Sequence, residues 1–390
     1  MSEGRVVNWD DMIEDAALTD TGMRRANNQD SHAIVRASRP ENWRLRGHIY
    51  MVADGMGAHA VGELASKLAC DNIPHNYNKM KAIPPADAIT KAYKEVGTLI
   101  HGRASANREF QGMGTTCSTL LLLPEGALIA HIGDSRVYRV RQHRIDQLSF
   151  DHSLAWELVR RNHLSPEEAT RAVPRNVITR SLGPDPNIEV DIEGPLPLEI
   201  GDVFLLCSDG LSGHIEDEEL GLFAANFHPK DACRYLIALA NLRGGQDNIT
   251  AVIARYGPWI EPDSAQDIPK QDQSSKPARN GLFKGLAGLL HRKKHEAEPV
   301  EEHIYRTAVC ALSDALVDRF AELVKKTQTH AIERTWPVDW PVLASYRRQA
   351  EEARAAGRLR SALRAIGESI VILGQAGRVS KKTGGAANVS

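Results

Sequence analysis

The stretch Met51-Val52-Ala53-Asp54-Gly55-Met56-Gly57-Ala58-His59 decides how this chain is read. An apolar run from Ile49 to Ala53 stops at an aspartate and two closely spaced glycines. By length and composition the run is a buried strand. Asp-Gly at its end is either a plain turn or a carboxylate set where backbone can approach a ligand closely. His59 follows on the same turn, close enough to share a pocket with the acid. One such turn decides little, and its recurrence decides more.

The device does recur. Gly133-Asp134-Ser135-Arg136 interrupts the apolar stretch from Ala127 to Val140, and Val203-Phe204-Leu205-Leu206-Cys207 runs into Ser208-Asp209-Gly210. Gly244-Gly245-Gln246-Asp247-Asn248 stands before the strand from Ile249 to Ala254. If these strand ends are neighbours, Asp54, Asp134, Asp209 and Asp247 crowd together, and like charges share a dry site only with a cation between them. An all-oxygen donor set with no histidine or cysteine cluster selects Mg²⁺ or Mn²⁺ over zinc. Upstream, Arg25 precedes Asp30 by five residues. That pair is either a phosphate-binding fork beside a metal-binding acid or a polar hairpin with a local salt bridge.

The 390 residues are 42% hydrophobic and 25% charged with net charge −2, ordinary globular material without the basic excess of a nucleic-acid binder. Five scattered cysteines embedded in apolar runs read as reduced core thiols. With no apolar core in Met1 to Asp20 and no membrane-length run, they predict a cytoplasmic protein. Helical spacing predicts helices from Ala60 to Cys70, Ala86 to Asn107 and Asp231 to Leu242. A hairpin joins Cys117–Leu123 to Ala127–Ile132, with Val137–Val140 expected to continue the same sheet. Asp151 to Val190 reads as an excursion over one end of the core, with a helix start at Ser165-Pro166.

Six segments in order, spanning about residues 15 to 256, resemble the metal-dependent protein phosphatases, the type 2C or PPM family, in their bacterial form. They are Arg25-Ala26-Asn27-Asn28-Gln29-Asp30, Ala53-Asp54-Gly55-Met56-Gly57-Ala58-His59, Gly114-Thr115-Thr116, His131-Ile132-Gly133-Asp134-Ser135-Arg136, Ser208-Asp209-Gly210-Leu211 and Gln246-Asp247-Asn248-Ile249-Thr250. The resemblance implies an α+β fold, a four-layer α-β-β-α sandwich of two antiparallel sheets flanked by helices, with metals at one end between the sheets. It implies two tightly bound Mn²⁺ or Mg²⁺ ions, Asp54 bridging both, the Gly55 carbonyl on one, and Asp209 and Asp247 on the other. Asp30 then acts through metal-bound water, Arg25 grips the substrate phosphate and His59 is the general acid. Asp134, as a lone carboxylate facing water, belongs to a third, weaker metal; its plain alternative is a salt bridge to Arg136 or a neighbour. The implied reaction is hydrolysis of phosphoserine and phosphothreonine on proteins by a metal-activated water, opposing a Ser/Thr kinase. The alternative is a non-catalytic phosphoprotein-binding module that keeps the fold, against which the intact Asp54, Asp209 and Asp247 speak. Gln29 and Ala58 depart from a common glutamate and glycine of the family without touching a metal ligand.

Beyond Tyr256 the resemblance ends. Residues 257–298 read as a linker whose apolar-basic segment, Gly281 to His295, either lies on a membrane surface or packs on a neighbour. Residues 299–375 read as a small all-α module for partner binding or self-association. Its helices are expected over 301–329, 341–356 and 358–373. Residues 376–390, basic and then glycine-rich, read as a disordered tail.

Overall fold

In a computed structural model, residues 12–57, 61–160, 168–169, 173, 177–259 and 305–386 are described. In chain order the elements are β1 (Ile13–Asp20), β2 (Asp30–Val35), α1 (Pro40–Arg46), β3 (His48–Met56), α2 (Val61–Lys79) and α3 (Pro85–Ala106). Next come β4 (Gly114–Thr115), β5 (Cys117–Leu123), β6 (Gly126–Ile132), β7 (Arg136–Arg141), β8 (Arg144–Gln147), α4 (Leu154–Arg160), β9 (Asp191–Leu196) and β10 (Val203–Cys207). The remainder is α5 (Asp209–Ser212), α6 (Asp217–Asn226), α7 (Pro229–Leu242), β11 (Ile249–Tyr256), β12 (Arg306–Val309), α8 (Asp314–Glu333), α9 (Trp340–Ala355) and α10 (Leu359–Ala386).

Two antiparallel sheets result. One runs β1-β11-β10-β7-β8-β12 and the other β2-β3-β5-β6-β9, with β4 also on β3. The central strands are apolar on both faces because each face has its own cover, which explains their continuous rather than alternating hydrophobicity. In β3, Tyr50 and Val52 face the other sheet and join Leu120, Phe204, Leu206 and Val252 between the layers. Ile49, Met51 and Ala53 point the opposite way, onto Ala65, Ala69 and Ile73 of α2 and Ala92 and Val96 of α3. Leu205, Ala251 and Ile253 do the same for the second sheet, against Phe223 of α6 and Leu236 of α7. This is the expected four-layer sandwich.

Four features depart from the sequence reading. β7 does not continue the β5–β6 sheet: Gly133-Asp134-Ser135 carries the chain across to the other sheet, where β7 pairs with β10. The helix expected over 301–329 begins only at Asp314, because Arg306–Val309 finds an open sheet edge and pairs with β8. Arg306 meets Asp217 at 2.9 Å and Thr307 donates to Asp146 at 2.9 Å, long-range partners that local helical spacing does not encode. The tail expected to be disordered from 376 is helical to Ala386, since Ala376 is buried and Arg378 pairs with Asp20. Asp134 is 7% exposed and so does not face water.

The C-terminal helices share the core of the second sheet's outer face. Phe320 of α8 meets Phe223 edge-on at 5.3 Å between ring centres, and Leu363, Ile366 and Ile370 of α10 lie buried in the same cluster. Tyr235 of α7 donates its hydroxyl hydrogen to Glu368 at 2.7 Å. Most of the 257–298 linker, with its apolar-basic segment, and the Ser165-Pro166 helix start lie outside the described residues.

Candidate metal and phosphate site

Strand direction gathers the acids. Asp30 opens β2 and stands opposite Asp54 near the end of β3. In the facing sheet, Cys207 closes β10 opposite Ala251 near the start of β11, so Asp209 and Asp247 leave from the same end. Asp134 lies on the crossing from β6 to β7, between the two sheets.

Hydrogen bonds across the layers lock this end. Asp30 accepts through Oδ2 from the Ser208 and Thr250 hydroxyls of the facing sheet, each at 2.7 Å. Asn248 accepts from the Gln29 amide at 2.8 Å and donates to the carbonyls of Thr21 and Asn27. The Asp54 amide donates to the Thr116 hydroxyl oxygen at 2.9 Å, while its carbonyl accepts from the Thr115 hydroxyl and the Thr116 amide. Thr116 also bonds Ser135 at 2.8 Å, joining the Asp54 strand end to the Asp134 turn. Sequence reasoning assigned no work to Ser208, Thr250, Thr115, Thr116 or Asn248. The signal was present, since each lies inside one of the six segments, but a hydroxyl's partner is visible only in space. Gly55 is required by close approach: a Cβ there would come within 2.0 Å of the Gly62 carbonyl.

The electrostatics follow from the crowding. Burial raises Asp54 well above the usual carboxylate range, and Asp30, Asp209, Asp134 and Asp247 raise it further. Burial pushes Asp30 up to about 7 against the pull of its two hydroxyl donors. Burial likewise takes Asp134 up to about 8, with Asp209 and Asp151 adding to it and Arg136 opposing. Asp209 is raised by burial and then by Asp247. The Asp134–Arg136 salt bridge does not form; Arg136 is spent on Asp151, at 2.6 Å.

Arg25 is the exposed member of the site. Its Nη2 donates to Asp247 at 2.6 Å, and that bond chiefly raises its pKa, with Asp54 and Asp209 contributing. The other Asp247 oxygen accepts from the Asn248 amide. His59 and Ala58 lie outside the described residues.

Whether these residues suit divalent cations is answered by the donor set. Asp30 Oδ1 and Asp209 Oδ1 are buried with no hydrogen-bond donor among the described residues, and a buried carboxylate oxygen needs a proton, a hydrogen-bond donor or a cation. Hard oxygen donors of this kind fit Mg²⁺ or Mn²⁺. Among the described residues no three Asp, Glu, His or Cys side chains close on a single point. The three carboxylates that the resemblance places on one ion, Asp54, Asp209 and Asp247, are thus gathered at one end of the sandwich without closing on a common point.

The family model described as Protein phosphatase 2C matches residues 23–242. The chain belongs to the protein phosphatase 2C family. It is therefore an enzyme, a protein phosphatase, and its curated relatives include protein phosphatase PhpP of Streptococcus pneumoniae. PhpP is 34% identical over 246 residues, 62% of this chain and 96% of the relative. Among solved structures, serine/threonine phosphatase Stp1 from Staphylococcus aureus shares 29% identity at TM-score 0.56, covering 65% of this phosphatase and 98% of Stp1. The catalytic domain of the serine threonine protein phosphatase PstP, in complex with 2 manganese ions, shares 31% identity at TM-score 0.54, over 62% and 97% of the two chains.

Proposed function

We propose that this phosphatase hydrolyses phosphoserine and phosphothreonine on proteins at a centre of two Mn²⁺ or Mg²⁺ ions held by Asp54, the Gly55 carbonyl, Asp209 and Asp247. The observation that supports this reading best is the gathering of five buried or half-buried carboxylates from both sheets at one end of the sandwich, four of them with carboxyl pKa values raised by burial and by one another. When bound, the cations supply positive charge to the transferring phosphoryl group and make water acidic enough to attack near neutral pH.

The chain's own residues do the rest. Arg25, half exposed and able to leave Asp247, binds the phosphoryl oxygens and holds phosphorus in line with the attacking water. Asp30, fixed by Ser208 and Thr250, keeps Oδ1 free to accept a hydrogen from that water. His59 gives a proton to the departing serine or threonine oxygen. Asp134 serves a third, weaker ion. No covalent intermediate is needed, and the thiols are unsuited to one: all five are buried, and burial pushes Cys117, Cys207 and Cys233 up to about 12.

The substrates are phosphorylated proteins made by an opposing Ser/Thr kinase. Unpaired thiols suit a cytoplasmic setting, and no helix among the described residues is long and apolar enough to cross a membrane. The test is activity against an aryl phosphate and a phosphoserine peptide with and without Mn²⁺. Turnover should require the ion, vanish with a chelator, survive thiol alkylation and be abolished by Asp54→Ala. Metal-independent turnover by that variant would overturn the reading.

A further inference from the structure

Beside the loop that carries Arg25, α8, α10 and residues 23–24 enclose a cleft of about 840 Å³. Arg24, Lys326, Arg334 and Lys381 line it together with His330 and Trp336, and no Asp or Glu does. Lys326 and His330 are spaced four apart on one face of α8, and Arg334 is the residue that ends that helix. Elsewhere on these helices cations meet acids: Arg319 of α8 meets Glu219 at 2.9 Å and Arg364 of α10 meets Asp231 at 3.9 Å. Among the described residues Arg24, Lys326 and Arg334 have no acidic partner. A concave surface of one sign, on a chain of net charge −2, is a local attractor for anions rather than a consequence of overall charge.

The cleft is joined to the phosphate arginine. Lys381 donates to the Met23 carbonyl, and Arg378 pairs with Asp20, which also accepts from the Gly22 amide at 2.8 Å. Gly22 holds φ +77°, and a Cβ there would come within 2.0 Å of the Asp247 carbonyl, so the loop packs closely against the backbone that carries Asp247. Arg24 thus enters the cleft while the adjacent Arg25 enters the acidic site.

We propose that this cleft binds an acidic segment of the phosphoprotein substrate, Asp or Glu residues flanking the phosphorylated residue. The proposal rests on the protein phosphatase reading above. Arginine forks and lysine ammonium groups recognise carboxylates directly. They would also offset the repulsion that an acidic substrate meets at a site built of carboxylates. The C-terminal segment then selects substrates, because without residues 314–386 only Arg24 of the cationic lining remains.

The experiment uses the full chain with Mn²⁺ and two phosphoserine peptides of equal length, one flanked by Asp and Glu, the other by Asn and Gln. The wild type should prefer the acidic peptide, and the preference should fade as salt rises. The exposed double variant K326Q/R334Q should lose about 3- to 30-fold in kcat/KM on the acidic peptide, as expected for two exposed ion pairs. It should keep wild-type rates on the neutral peptide and on aryl phosphate. K326E/R334E should reverse the preference. Fluorescence anisotropy with the unphosphorylated acidic peptide reads the cleft without turnover. A protein inert to aryl phosphate yet binding that peptide more tightly than K326Q/R334Q does would defeat the hydrolytic reading and leave the cleft standing. Equal kcat/KM on the two peptides in the wild type, or an equal loss on both in the variant, overturns the proposal.

Discussion

Proton binding at the acidic end sets a stability signature that cations should erase. In the metal-free protein Asp30 titrates at about 7 and Asp134 at about 8, against an ordinary value of 3.8. Because these folded-state values are raised, the folded protein holds more protons than the unfolded chain across pH 6.8 to 8. Stability is therefore greatest below that window and is lost as pH rises through it. Each such proton contributes a slope of about 1.4 kcal/mol per pH unit once its window is fully entered. Asp134, with a smaller share from Asp30, gives a loss of roughly 1–3 kcal/mol between pH 6.8 and 8, or a few degrees in Tm. His131, which burial lowers to about 4, opposes this mainly below the chosen window. The assay is thermal unfolding in chelator and in saturating Mn²⁺ over that range. The chelated protein should lose Tm with rising pH, the Mn²⁺ form should not, and Asp30→Asn in chelator should show a shallower slope. A chelated protein whose Tm is flat or rises with pH, as in Mn²⁺, would refute the reasoning.

Three further outcomes are expected. Arg25→Ala should lower kcat/KM about 10- to 100-fold, mostly through KM, because a charge-assisted contact to the bound phosphate is lost; a pure kcat defect in steady-state kinetics would contradict that role. His59→Gln should slow phosphoserine peptide far more than aryl phosphate, since only the alkoxide needs a proton; equal slowing of both removes His59 as the general acid. Asp134→Ala should retain two tight ions in calorimetric titration, lose the weak phase and reduce turnover on phosphopeptide; an unchanged weak phase with unchanged turnover would release Asp134 from any metal role.

Much of the site was legible because its chemistry is written locally. A buried strand that stops at Asp-Gly, as at Asp54 and Asp209, announces an acid where backbone comes close. The Gly55 contact with the Gly62 carbonyl shows the steric need behind the glycine. Other parts were illegible for a physical reason. Ser208, Thr250 and Thr116 are ordinary strand-end residues until the facing layer supplies Asp30 or the strand end supplies Asp54. Asp134 looked solvent-facing because nothing local reveals a crossing between sheets.

The apolar runs, turns and acids along the chain determined which segments are strands and which carboxylates stand at their ends, and the sandwich was implied by the family that six of those segments resemble. Periodicity and turn chemistry act within a few residues and need no partner. Tertiary structure alone decided which sheet received β7, that Arg306–Val309 would leave a helical pattern to complete a sheet edge, and that Arg25 would meet Asp247. It also decided that the end of α10 would return to the Arg25 loop through Arg378 and Asp20, residues 358 apart. Such pairings are chosen by the competition of distant groups for the same open edge or unpaired charge, and that competition exists only once the layers have packed.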